Sequence, residues 1–372
     1  MKKVLYVLNC MNVGGTEKSF LNLIEDMPPE EYDITLLLLE KKGGFLDMVP
    51  KRVQIEVLED YDRIKKEIMD PPLSVSRGYL KRGKLCSAAG ILITHLLFKI
   101  THYRTPYFRF VLRGVKKRGG YDEVHAYAGP FDFVSALVAY RFFGGKKIQW
   151  IHFDVSKIWF DLKTSRTLYR KMNEIRVVST EAKQSFLSLL PEIEEKTVVS
   201  RNIVPVDACR RLAYSGPGFT DGFTGIRIVT LGRLSKEKGQ EIIPDVAYEL
   251  KKNGYSFRWY IIGEGNLREI IEKKITELNL AEEVTLLGME KNPYPFLKNA
   301  DVYVQTSIHE GFCLTLSEAL AFDLPVISTN CAGAHEQLDR RENCFIVERN
   351  CESIAIKLIT VFKRLKFESA IF

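Results

Sequence analysis

Two carboxylates stand eight positions apart in the segment Glu310-Gly-Phe-Cys-Leu-Thr-Leu-Ser-Glu318. Carboxylates at such a spacing can act as an acid and base, or can hold a substrate by its hydroxyl groups. Gly311, directly after the first, lets the backbone approach a ligand closely. The run Ala319-Leu-Ala-Phe-Asp-Leu-Pro-Val-Ile327 then reads as buried structure, so the spacing predicts a helix starting near Cys313 or Leu314. The first amides of such a helix suit a phosphate. Glu310 falls in the loop before that helix, next to Gly311 and Phe312, and Glu318 falls about one turn inside it. Hydroxyl groups and a diphosphate could be held together in that frame. Taken alone, the pair is equally a loop glutamate and a solvated helix glutamate, and the neighbouring motifs decide.

Those motifs sit where strands end. Gly232-Arg-Leu-Ser-Lys-Glu-Lys-Gly239 follows the apolar strand Ile226–Leu231. Arg233 can clamp a phosphate through two parallel hydrogen bonds, and Lys238 supplies a point charge. Together they would stabilise negative charge building on a departing diphosphate. Ile261-Ile-Gly-Glu-Gly265 ends another strand with Gly263 beside Glu264, and Leu287-Gly288 ends the next, where Leu287 could flank a nucleobase. Asn12-Val-Gly-Gly-Thr-Glu-Lys18 joins the first strand to the first helix, so Gly14 and Gly15 can bring backbone amides to an anion or a sugar. That loop has neither the G-x-G-x-x-G spacing of a dinucleotide fold nor the spacing of an ATPase P-loop. Gln149-Trp-Ile-His-Phe-Asp154 ends a further strand and places His152 at its carboxyl end. Asp154 has two readings, contact with an acceptor or a cap on the following turn. There is no His-Glu-x-x-His, no Ser-His-Asp order and no Asp-rich cluster, so no metal is expected.

Composition bounds what can carry these motifs. At 372 residues, two domains are expected. With 46% hydrophobic and 27% charged residues the chain is an ordinary globular protein. Seven scattered cysteines without a Cys-x-x-Cys pair indicate neither zinc nor a disulfide framework, and point to a reducing, cytoplasmic location. The amino-terminal apolar stretch is too short for a signal peptide and suits a buried strand. The longest near-apolar run, Ala88–Phe98, is 11 residues, well short of the roughly 20 needed to cross a bilayer.

Strands and helices alternate twice along the chain. Lys3–Leu8, Asp33–Leu39, Val53–Leu58, Glu123–Tyr127, Lys147–His152, Ile175–Ser179 and Thr197–Ser200 read as strands, with helices such as Thr16–Asp26, Phe131–Phe143 and Glu181–Leu190 between them. The second set has strands at 226–231, 257–262, 283–287, 302–305 and 325–328, with helices at 240–252 and 267–278, a short one near 294–299 and the one holding Glu318. Apolar strand cores between helices imply parallel sheets covered on both faces. The expected architecture is α/β: a first doubly wound domain over 1–206, a turn-rich linker over 207–225, and a second over 226–372. Ligands would bind at the carboxyl ends of the strands, in a cleft between facing domains.

Together these residues resemble the retaining nucleotide-sugar glycosyltransferases with two facing Rossmann-like domains, the GT-B fold, family 4. Gly232-Arg-Leu-Ser-x-Glu-Lys-Gly and Glu310-(seven residues)-Glu318-Ala-Leu-Ala match that family's two signatures. The resemblance implies that Arg233 and Lys238 bind the donor diphosphate, Glu310 the hydroxyls of the transferred sugar, and Glu318 the ribose. It places His152 beside the reacting sugar and Gly14 and Gly15 in a loop over donor phosphate or acceptor. It further implies no metal and retention of anomeric configuration. Gly232, Gly263, Glu264, Leu287, Gly311, Phe312, Cys313 and Leu314 complete the expected donor site. Three departures stand out: Cys313 where glycine is usual, Arg341-Glu-Asn-Cys-Phe345 for the usual Asp-Gly-x-Asn-Gly turn, and an end soon after Lys366. The last leaves the helix that crosses back to the first domain expected to be short or missing.

Charge points to a partner. Residues 61–120 hold 14 Lys or Arg against three acids, a local excess of 11 in a chain whose net charge is +7. Interleaved apolar and aromatic residues make this a basic amphipathic surface suited to anionic lipid. Nucleic acid would tolerate the charge, but no reading module accompanies it. The expected protein is a glycosyltransferase at the cytoplasmic membrane face, using a UDP- or GDP-sugar and a lipid-linked saccharide acceptor of surface-polysaccharide synthesis. A nucleotide-sugar 2-epimerase and a non-catalytic sugar-binding homologue are the alternatives, and the oligomeric state is open.

Overall fold

In a computed structural model describing residues 1–158 and 160–369, the chain divides into two units, Met1–Arg201 and Asn202–Phe372. The first unit carries a seven-stranded sheet formed by β1 (Lys2–Leu8), β2 (Tyr32–Leu38), β3 (Gln54–Val57), β4 (Glu123–Ala126), β5 (Lys146–Ile151), β6 (Glu174–Val177) and β7 (Thr197–Val199). Its order is β3-β2-β1-β4-β5-β6-β7, with every pair parallel. Val4–Leu8 of β1 are buried without alternation, as a strand covered on both faces must be. The helices are α1 (Gly15–Asp26), α2 (Tyr61–Met69), α3 (Pro72–Lys81), α4 (Leu85–Thr101), α5 (Thr105–Val111), α6 (Asp132–Arg141), α7 (Leu162–Tyr169) and α8 (Thr180–Leu189). The strand order reverses between β1 and β4, and the Gly14-Gly15 loop leaves β1 at that point.

The basic stretch forms four helices, α2 to α5, of which α2, α3 and α5 meet at one buried carboxylate. Glu67 is 1% exposed and accepts from Arg63 Nη1 at 2.8 Å and Arg113 Nη1 at 3.3 Å. The Tyr79 hydroxyl donates to the same carboxylate, and the Tyr107 hydroxyl to the Glu67 backbone carbonyl. Helix α4 buries only Ala88 and Ile91, against a cluster containing Tyr79. Gly90 lets the Phe110 ring lie on the helix, where any Cβ would strike it. Leu85, Ile93, Leu96 and Ile100 of α4 are each more than half exposed.

The second unit carries a six-stranded parallel sheet: β8 (Ile226–Leu231), β9 (Phe257–Ile262), β10 (Val284–Gly288), β11 (Val302–Gln305), β12 (Val326–Thr329) and β13 (Cys344–Val347). Its order is β10-β9-β8-β11-β12-β13, so the reversal falls between β8 and β11. Around it lie α9 (Val206–Leu212), α10 (Ile243–Lys252), α11 (Arg268–Glu277), α12 (Tyr294–Lys298), α13 (Leu314–Leu320), α14 (Ala334–Leu338) and α15 (Cys351–Ser369).

Two readings need correction. The stretch read as a linker begins with α9, whose Cys209 is buried in the second unit's core. The turns that follow are pinned, because Asp221 accepts from Arg258 at 2.8 Å, Arg227 at 3.0 Å and the Phe223 amide at 3.1 Å. Short periodicity hides a seven-residue helix among Gly and Pro, and an ion-paired aspartate makes an ordered structure of what composition reads as slack. Strand β13 and helix α14 escaped the sequence reading, both being five residues or fewer. The last described helix, α15, is 19 residues long and packs Ile354, Leu358 and Phe362 into the second unit's core.

Glu67 generates a stability prediction. Glu67→Ala leaves Arg63 and Arg113 without their partner, and should destabilise the first unit by about 3–5 kcal/mol in urea unfolding.

Candidate active site

The loops leaving β8 and β11 are brought together at the reversal point of the second sheet. The backbone turns at Gly232, where the Gln240 side chain donates to the carbonyls of Gly232 (3.2 Å) and Arg233 (2.9 Å). Gly263 allows the Gly232 carbonyl to approach, since a Cβ there would collide with it. A 3-10 turn over Lys236–Lys238 ends at Gly239, whose φ of +64° lies in the left-handed region. The β11 loop braces this turn. Thr306 Oγ1 donates to the Lys238 carbonyl at 3.0 Å, and the Ile308 amide donates to the Glu237 carbonyl at 2.8 Å. Arg349 spans both loops, donating to Thr306 O and Gly239 O, each at 3.2 Å, and to Glu241 at 2.7 Å.

Lys238 and Glu310 meet inside this brace at 2.6 Å. Burial works against the Lys238 charge, but the Glu310 carboxylate outweighs it and raises the ammonium pKa. The lysine is therefore a fixed cation. Glu310 Oε1 also accepts from Ser307 Oγ at 2.6 Å and from Gln305 Nε2 at 3.1 Å. Arg233 is exposed beside the same turn.

The helix predicted after Phe312 begins at Leu314 and lasts seven residues. Cys313 precedes it with φ +62°, which explains why glycine suits that position, and burial pushes its thiol well up. Gly311, Phe312 and Leu314 are buried, and Gln337 Nε2 fixes the Phe312 carbonyl at 2.5 Å. Glu318 is 5% exposed and accepts from the Tyr294 hydroxyl at 2.9 Å. It is thus not a solvated helix glutamate. Leu287 is half-buried in β10, while Glu264 pairs with Arg268 at 2.5 Å on an exposed turn.

The first unit holds the remaining expected residues. Gly14 caps α1 in an extended conformation, and the space over Gly15 is open. His152 follows β5, 7% exposed, with its ring stacked on Trp150 at 5.6 Å and against Tyr127 at 4.7 Å. Burial lowers its pKa to about 4, so it is neutral at physiological pH. Asp154 makes the hydrogen bonds of a turn cap through one oxygen. Oδ1 accepts from the Ser156 amide at 3.0 Å, the Ser156 hydroxyl at 2.7 Å and the Ser185 hydroxyl, and these bonds overcome burial to lower its pKa. Among the described residues, no group of three or more His, Cys, Asp or Glu side chains converges as a metal site would require.

Residues 224–369 match the family model for glycosyl transferases group 1. The match covers most of the second unit and none of the first. An uncharacterized glycosyltransferase of Methanocaldococcus jannaschii is 33% identical over 44% of this chain and 41% of its own. A Campylobacter jejuni N-acetylgalactosaminyltransferase acting on a diphospho-undecaprenol acceptor is 34% identical over 34% of each chain. The chain therefore matches less than half the length of either relative. The Anabaena HepE structure with UDP and glucose superposes with a TM-score of 0.67 at 17% identity, covering 98% of this chain and 91% of that one. The two parallel sheets are those of GT-B glycosyltransferase structures, and the matched segment holds both the carboxylate and the cation motifs.

Sequence reasoning missed the residues that hold these groups. Gln305, Thr306, Ser307, Gln337 and Arg349 carry no motif. A polar Gln-Thr-Ser run closing the apolar strand Val302–Val304 is the one signal that marked the first three.

His152 gives a pH prediction. Its folded pKa lies below the unfolded value near 6.5, so its contribution to stability is full above pH 6.5 and is lost as pH falls toward 4. His152→Phe should remove about 3 kcal/mol of that acid-dependent loss, measured by urea unfolding between pH 7 and 4.

Proposed function

We propose that this chain is a retaining, metal-independent hexosyltransferase that moves a sugar from a UDP- or GDP-sugar to a lipid-linked saccharide in bacterial surface-polysaccharide synthesis. The observation that carries the reading is the Lys238–Glu310 contact at the strand-reversal point of the segment that matches the group 1 family. A fixed cation beside a carboxylate with one oxygen to spare suits a donor that joins a diphosphate to a polyhydroxylated ring. In this reading Lys238 and Arg233 stabilise charge on the departing diphosphate, Glu310 holds sugar hydroxyls, and buried Glu318 receives the ribose. Gly232, Gly263, Glu264, Leu287, Gly311, Phe312, Cys313 and Leu314 shape the rest of the donor site. Gly14 and Gly15 are assigned to a loop over donor phosphate or acceptor, His152 to the transferred sugar, and Asp154 to the acceptor. The acceptor hydroxyl attacks the anomeric carbon on the face the diphosphate leaves, and its proton passes to the departing phosphate.

The lipid-linked acceptor and a peripheral position on the cytoplasmic membrane face draw support from α4. Its exposed Leu85, Ile93, Leu96 and Ile100 are flanked in sequence by Lys81, Arg82 and Lys84 before the helix and by Arg104 after it, with Lys99 among them. Apolar side chains entering a bilayer interface and cations meeting anionic headgroups act together, each cation contributing about 1 kcal/mol. None of the helices is long and apolar enough to cross a membrane among the described residues. A 2-epimerase would use the donor with no acceptor, and a sugar-binding homologue would leave it intact.

Glu310→Ala and Lys238→Ala should each lower transfer at least ~100-fold while circular dichroism stays unchanged; full activity in both variants would remove the site assignment. Screening UDP-, GDP- and ADP-sugars by thermal shift identifies the donor nucleotide, and product analysis separates transfer from epimerisation. The double variant Leu96→Glu/Ile100→Glu should abolish sedimentation with phosphatidylglycerol vesicles at low salt without altering thermal stability. Binding unaffected by these changes would place the membrane contact elsewhere.

A further inference from the structure

Gln305 is a buried amide on a core strand, where an apolar side chain of similar size would serve packing equally well. It is 2% exposed. All of its hydrogen-bonding capacity is used. Oε1 accepts from the Tyr303 hydroxyl at 2.5 Å and the Thr315 hydroxyl at 3.2 Å. Nε2 donates to Ser307 Oγ at 2.5 Å and to Glu310 Oε1 at 3.1 Å. A carboxylate only accepts, so the amide nitrogen must face Glu310 and the amide oxygen must face the two hydroxyls.

The consequence falls on Glu310. With Lys238 and Ser307, Gln305 brings three donors to Oε1. Oε2 accepts from no group among the described residues and is not counted among the fully buried polar atoms that lack a partner. One oxygen is thus anchored and the other is available to a ligand. We propose that Gln305 is a positioning residue that, through the Tyr303–Gln305–Ser307 chain, fixes the Glu310 carboxylate so that Oε2 is presented to a hydroxyl of the donor sugar.

The chain of hydroxyls and amide runs from the core to the site. Tyr303 and Gln305 lie two apart on β11 and point to the same face of the sheet, so the strand itself sets their spacing. Ser307 is also held from behind, since Thr329 Oγ1 on β12 donates to its carbonyl at 2.5 Å. Lys238 alone could draw Glu310 toward the cationic turn. The donors from β11 set the plane of the carboxylate, which a single point charge does not.

The ligand part of this proposal rests on the donor reading above; the positioning part does not, and two measurements separate them. A double-mutant cycle of Gln305→Met and Glu310→Gln, read by urea unfolding, needs no ligand. The two changes should be non-additive, and additive effects would overturn the positioning role. The second measurement is calorimetric titration of UDP and UDP-glucose. Gln305→Met should weaken UDP-glucose about tenfold while leaving UDP within about twofold, the loss expected for one charge-assisted hydrogen bond. Equal weakening of both ligands, or of neither, would overturn it. Gln305→Glu adds a readout that packing does not move. The introduced carboxyl regains a donor on protonation, so its UDP-glucose affinity relative to wild type should recover as pH falls from 8 to 5.5. A pH-independent deficit would mean that Gln305 serves only the core. A wild-type protein that binds UDP and UDP-glucose equally would overturn the assignment of Oε2 to the sugar, while the unfolding cycle still decides whether Gln305 positions Glu310.

Discussion

A single carboxylate oxygen, Glu310 Oε1, is where the second domain's site is tied together. Lys238 reaches it from the loop after β8, and Gln305 and Ser307 reach it from the end of β11. An ion pair this close is unfavourable to bury unless other hydrogen bonds satisfy it. Here they do, and the surrounding loops carry further bonds whose effect is to keep the two charges together. Thr306 and Arg349 lock the lysine turn to the strand end, and Gly239 and Gly263 give the backbone the room these approaches require. These bonds hold the charged groups in place with no ligand bound, so a ligand at this site would meet groups already oriented, without the entropic cost of ordering them.

The parallel sheet makes that meeting possible. Strands β8 and β11 are neighbours although two strands and three helices separate them in sequence, and the reversal of strand order opens a place for a ligand at their carboxyl ends. The first sheet repeats the arrangement between β1 and β4, where the Gly14-Gly15 loop leaves for α1. Its neighbouring strand end carries His152, kept neutral among aromatic rings by burial. Buried polar groups fix the geometry in both domains, but with different chemistry: an ion pair in one, a stacked uncharged ring in the other.

The basic helices show how charge can be gathered without dispersing the fold. Glu67 binds Arg63 of α2, the Tyr79 hydroxyl of α3 and Arg113 just after α5, so these elements share one anchor. Lys65 and Arg118 pair instead with Glu40 and Glu56, while Lys66, Lys81, Arg82, Lys84, Lys99, Lys116 and Lys117, with most of the apolar side chains of α4, are exposed. A helix that buries only two of its 17 residues makes little core, and its exposed leucines and isoleucines leave a surface available to a partner.

Much of this was legible in the sequence. Strand cores such as Val4–Leu8 and Val302–Val304 are apolar throughout, and that alone gives a parallel sheet covered on both faces; Glu310, Glu318, Arg233 and Lys238 announced themselves by spacing within short motifs. Short elements were not legible. Helix α9 and strand β13 are too brief for periodicity, and their place is decided by what they pack against. Asp154 shows a second limit, because a carboxylate two residues before a serine fits a ligand contact and a turn cap equally, and only its hydrogen bonds show that it makes the cap. The sequence determined which residue types stand at the strand ends, since pattern and propensity are local. Only the tertiary structure decided that Lys238 and Glu310, 72 positions apart, share an oxygen, and that Gln305 and Arg349 hold them there. Contacts between distant segments depend on strand order and loop packing, which no window of the sequence contains.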